Sequence, residues 1–140
     1  MPKTFSLSLI PPRILRLVGR GGTPMTPEVA AQIQLDMGEL YQFIKRNFGD
    51  GSFLGLNIFE NMALALDAEQ QMVTQGTLAL AKSFPIERAA YVTDGATLRI
   101  QFTRLFRENG MSDRFRAFST EAEGLAFLRE PGAVSAIKGG

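Results

Sequence analysis

The segment Phe53-Leu-Gly-Leu-Asn-Ile-Phe59 is a nearly continuous apolar run of strand length. A strand with one wet face alternates apolar and polar residues, so an unbroken run marks a central strand covered on both faces. That one requirement favours an α/β layer arrangement over an open antiparallel sheet. Gly55 and Asn57 are the exceptions within the run. A second run, Ala89 to Thr93, has the same character.

The remaining chain fits around these two strands. Phe5 to Leu9 alternates with period two, as a half-buried strand does, and Pro11-Pro12 breaks it because proline cannot donate to a ladder. Ile14 to Val18 reads as a second strand, with Arg13, Arg16 and Arg20 at exposed positions. The short gap predicts an antiparallel pair. Gly19-Arg20-Gly21-Gly22 reads as a loop.

Thr26, Pro27 and Glu28 then supply a cap, a first helical residue and an acid at the positive end of the dipole. Val29, Ile33, Met37, Leu40, Tyr41, Ile44 and Phe48 follow at helical spacing and predict one apolar stripe. Asp67 caps a second helix, for which Met72, Val73, Leu80 and Phe84 mark the buried face, with Gln70, Gln71, Thr74 and Gln75 opposite. Between Glu60 and Leu66 loop, strand and helix all remain open. Asp94-Gly95 turns into a third helix with Leu98, Phe102, Leu105 and Phe106 inward. Phe115 to Phe118 is a short strand, and Thr120 with Glu123 has the capping-box spacing that starts a last helix.

The order is β-β-α-β-α-β-α-β-α. It predicts one α/β domain over residues 1–130, with a mixed sheet whose N-terminal pair is antiparallel and whose later strands are parallel. About four helices flank it, and residues 131–140 are expected to form a flexible tail.

Composition then limits the chemistry. The chain has no His, Cys or Trp. Disulfides, thiolate nucleophiles, Ser-His and Cys-His pairs and imidazole-ligated metals are therefore excluded. The net charge of +1 gives no basis for nucleic-acid binding. Phe53 to Leu66 is the best candidate membrane span, but Asn57, Glu60 and Asn61 interrupt it well short of the roughly 18 apolar residues a span needs. The expected location is cytoplasmic, without a transmembrane segment. Asp36, Glu39, Asp67 and Glu69 are explained as helix-surface or capping carboxylates rather than a catalytic pair. No catalytic residue, cofactor or metal is expected.

Two groups remain as candidate binding residues. Asn57, Asn61, Met62, Leu64 and Leu66 follow the C-terminal end of a central strand, where open α/β sheets place ligand crevices. They are candidate contacts for a small apolar ligand or a partner protein, against the simpler reading that they pack beneath the next helix. Arg99, Arg104 and Arg107 fall within about 140° of one helix face and are candidates to face an anion, against the simpler reading of a solvated face.

The stretch Arg88-Ala-Ala-Tyr-Val-Thr-Asp94, an amphipathic helix and then Phe115-Arg-Ala-Phe-Ser-Thr-Glu-Ala-Glu-Gly-Leu-Ala-Phe-Leu128 resembles the STAS-type, anti-sigma-factor-antagonist-like (SpoIIAA-like) family of small bacterial domains. The likeness extends over Phe5 to Leu128 through the order of elements. It implies a non-enzymatic regulatory or protein-interaction module, self-associating as a homodimer or binding a partner, with a lipid or other small apolar ligand as the alternative. Members of the family are switched by phosphorylation of a Ser where a helix follows a central strand. Here that junction, Phe59 to Ala68, has no Ser or Thr, so the switch does not carry over.

Overall fold

The computed structural model describes residues 3–21, 26–62 and 65–130. Strands β1 (Phe5–Ile10) and β2 (Ile14–Arg20) pair antiparallel across the Pro11-Pro12 turn, with Leu9 opposite Leu15 and Ser6 opposite Val18. β2 is longer than the sequence indicates. Gly19 and Arg20 belong to the strand rather than a loop, because β3 (Phe53–Glu60) runs beside it in parallel and pairs Gly19 with Phe59. The ladder continues one step further, where the Gly21 N–H donates to the Glu60 carbonyl at 2.8 Å. A Cβ at position 21 would lie 2.8 Å from the Met62 Cα, so the two strand ends approach too closely for any residue but glycine.

Beyond β3 come β4 (Ile86–Val92) and β5 (Phe115–Phe118), both parallel to their neighbours. The sheet order is β1-β2-β3-β4-β5. Each parallel connection therefore joins adjacent strands and advances in the same direction. With the usual right-handed crossover, such a sheet carries all its connecting helices on one face.

The packing follows that rule. Helices α1 (Pro27–Phe48), α2 (Ala68–Ala81) and α3 (Ala96–Glu108) cover one face. α1 sets Ile44 and Phe48 on Leu15 and Phe53, and the Phe48 and Phe53 rings stack at 4.6 Å. α3 sets Leu98, Phe102, Leu105 and Phe106 on Tyr91 and Phe115, as its spacing predicts. Tyr91 is the hub: the rings of Phe59, Phe102, Phe106 and Phe115 all lie within 6.1 Å of its centroid. Burial pushes its phenol well above the ordinary tyrosine value.

Among the described residues the opposite face is covered by α4 (Glu121–Leu128) only, packed on Leu54, Leu56, Ala90 and Val92. A Cβ on Gly124 would stand 3.1 Å from both Leu56 and Val92, so this helix rests its backbone almost directly on the sheet. Arg16 of β2 reaches across to Glu121 at 3.0 and 3.1 Å.

The capping residues are the expected ones, though at Thr120 only half of the box forms, since the Glu123 carboxylate accepts from the Ser119 and Thr120 hydroxyls. Thr26 accepts from Val29 N–H, Thr120 from Glu123 N–H, and Asp67 with Gln70 completes a reciprocal box. Several placements differ. Arg13 and Arg16 are partly buried, with Arg13 donating to the Ser52 carbonyl. Asp36 is buried, not a surface carboxylate: Thr4 donates to it from both N–H and hydroxyl at 2.6 Å, and Gln32 at 2.9 Å. Burial raises its pKa, but these donors and Lys3 outweigh that and hold it below the ordinary carboxylate value. Asp36 thereby ties the start of β1 to α1. Tyr41 sits at the margin of the α1 stripe, 49% exposed, edge-on to Phe84. The expected tail, residues 131–140, lies outside the described residues.

Candidate functional site

The first candidate group is divided by the chain's path. Asn57 points to the three-helix face, in register between Leu17 and Tyr91 and half-buried. Met62 and Leu66 join the same aromatic cluster, Leu66 being buried at 6% exposure. The Leu66 backbone is also clamped by α3: its N–H donates to Gln101 at 2.7 Å, and its carbonyl accepts from Gln101 and Gln71. Asn61 lies apart. It adopts the left-handed conformation, φ 54°, at the exit from β3, and is exposed beside Arg20 and Glu60 at an open hollow of about 300 Å³. Leu64 lies outside the described residues. Glu60 closes β3, and residues 61 and 62 leave it as irregular chain.

The arginines of α3 share a face without sharing a role. Arg99 turns back to donate to the Thr93 carbonyl at 2.7 Å, at the helix start. Arg104 is paired with Glu108 at 3.4 Å and donates to Gln71 at 2.8 Å. Arg107 is exposed and has no ion-pair or hydrogen-bond partner among the described residues. Beneath the first turn of α3 the Thr93 hydroxyl is buried without a hydrogen-bond partner.

Another open hollow, of about 450 Å³, lies between β1 and α1 and mixes Phe5, Leu7 and Phe43 with Lys3, Glu39 and Arg46. Lys3 and Glu39 form an ion pair across it. Among the described residues no group of three or more acidic, His or Cys side chains is placed to hold a metal ion. No helix among them is long and apolar enough to cross a membrane.

The feature that the sequence reading placed the wrong way round is α2. Met72, Val73 and Leu80 do not face the core: they are 75%, 47% and 39% exposed, and the fully buried side chain of the helix is Leu78. At 100° per residue, Met72, Gly76, Leu80 and Val73 fall within an arc of about 100°, and Leu78 points nearly opposite. Burial of Leu78 and polar bonds on the glutamine side together hold this rotation. Gln71 binds the Leu66 carbonyl and receives Arg104, and Gln75 receives Asn109 at 3.4 Å, so the glutamine side of α2 is seated against α3. Leu35 on α1 and Ile100 on α3 are also exposed, at 66% and 70%. Of the exposed large apolar side chains among the described residues, all but Leu9 lie on the helices of this one face. A signal for this was present in the spacing of Leu78, which does not share an arc with Met72 and Leu80.

No family model, curated protein or solved structure matches the chain.

Proposed function

We propose that this chain is a non-catalytic interaction domain of the STAS-like, anti-sigma-factor-antagonist-like kind, acting in the cytoplasm and binding a protein through the outer surface of its three-helix face. One observation carries the reading: α2 directs Met72, Val73 and Leu80 to solvent while its glutamines are seated against α3. Isolated exposed apolar residues need no explanation, but an apolar arc turned outward along a helix marks a surface meant to be covered.

The alternative, a carrier of a small apolar ligand, is less well supported. The space beside Asn57 and Leu66 where such a ligand belongs is filled by Phe59, Tyr91 and Phe102.

The test replaces the arc with a helix-forming polar residue: Met72→Gln, Val73→Gln and Leu80→Gln together. Were the three buried, the loss would be about 5 kcal/mol or more. On a free surface the unfolding free energy changes by no more than about 1 kcal/mol. Chemical denaturation of both proteins separates these outcomes, and a loss of several kcal/mol overturns the reading. Native mass spectrometry of freshly purified protein tests the carrier: a retained small-molecule mass on the wild type decides for it.

A further inference from the structure

We infer that the outer face of α2 is covered by a second copy of this chain, packed antiparallel with Gly76 at the crossing point. The inference rests on reading that face as the interaction surface. Among the described residues a Cβ built on Gly76 meets nothing within 4 Å, so no packing among them accounts for a glycine in the middle of this helix. A glycine there does permit a second helix to approach closely. About a two-fold axis at Gly76, Met72 of one copy meets Leu80 of the other, because the two residues lie four positions to either side.

Charge on α1 fixes the direction. The two-fold axis that crosses α2 at Gly76 also lays α1 over its own copy. Glu28 stands exposed in the first turn of α1 and Lys45 with Arg46 in its last, and Glu28 and Arg46 share one side of the helix with Leu35. An antiparallel pair sets Glu28 against Arg46 at both ends, whereas a parallel pair sets like against like. Among the described residues Gly38 is open between exposed Leu35 and Tyr41.

Size agrees only if both helices take part. At 1.5 Å per residue α2 is about 21 Å long, and a strip about 10 Å wide covers about 200 Å². Specific interfaces take about 800 Å² from each partner, and weak ones about 600 Å² or less. Adding α1, about 33 Å long, brings the strip to about 500 Å², which points to a weak, reversible dimer.

Sedimentation velocity over a concentration series tests this with the full chain. The wild type is expected to shift from monomer to dimer as concentration rises. Gly76→Gln, at a position whose Cβ meets nothing among the described residues, is expected to weaken the dimer at least tenfold without lowering the melting temperature. Glu28→Lys and Arg46→Glu each weaken it, and the two together restore it. A wild type that stays monomeric throughout overturns the inference, as does a dimer unaffected by Gly76→Gln or a charge swap without rescue. If the wild type is monomeric while the triple Gln variant melts as the wild type does, only the second copy is lost. If the triple variant melts far lower, the interaction surface itself is lost.

Discussion

Leu78→Ala is the sharpest probe of how α2 is held. Leu78 is completely buried, and it is the anchor of a helix whose other large apolar side chains are exposed. Truncating a buried leucine costs about 3 to 5 kcal/mol, through lost transfer energy and the cavity left behind. The remaining fastenings are the polar bonds of Gln71 and Gln75 to neighbouring elements, each contributing about 1 kcal/mol. The attachment of α2 is then worth about 6 kcal/mol in the wild type and about 3 in the variant. With so little left, α2 opens by itself before the sheet does. A change of about 3 kcal/mol is about two decades in an opening equilibrium, so amides of α2 should exchange about a hundredfold faster. Amides of β3 and β4 should change far less. Native-state hydrogen exchange, resolved by peptide, measures both. Equal loss of protection in α2 and in the central strands would refute the claim that one leucine fastens this helix separately. No loss in α2 would refute the burial of Leu78 itself.

Two further outcomes follow from the packing. The depressed pKa of Asp36 means that folding favours its ionised form, so its contribution is present above the ordinary carboxylate pKa and is lost as pH falls through the lower, folded value. The melting temperature of Asp36→Asn, followed across the acid range, should lie below that of the wild type near neutrality and converge with it as pH drops; parallel curves would remove Asp36 from the acid response. At Gly124, Ala requires Leu56 and Val92 to yield by a few tenths of an ångström, whereas Leu cannot be placed at all without lifting α4 from the sheet. Chemical denaturation should show Gly124→Ala within about 1 kcal/mol of the wild type and Gly124→Leu lower by about 3 kcal/mol or more, and equal values would mean that α4 is not seated on its backbone.

The layer order was legible because each signal was local. Continuous apolar runs gave the two central strands, Pro11-Pro12 closed the hairpin, and Thr26, Asp67 and Thr120 marked three helix starts. What was not legible depends on partners distant in sequence. Asp36 looks like a surface acid until Thr4 is brought to it from 32 positions away. The rotation of α2 is held by Leu78 in the core and by bonds to Leu66, Arg104 and Asn109, and a helix with apolar residues on several sides does not reveal which side those partners select. The candidate contacts after β3 met a similar limit. The end of the strand was visible, but that Met62 and Leu66 turn into the aromatic cluster while Asn61 turns away is set by a single left-handed residue.

The packing of α4 on the second face has a consequence for synthesis. Every strand pairs with the strand before it, so the sheet can grow in the order in which the ribosome delivers it, with no strand waiting for a later one. The exception is α4, whose Glu121 closes on Arg16 across 105 residues. Until the chain has been made through Leu128, the nascent sheet presents Leu54, Leu56, Ala90 and Val92 uncovered, a greasy plane that holdase chaperones would grip. Closing that plane waits until all five strands have been made.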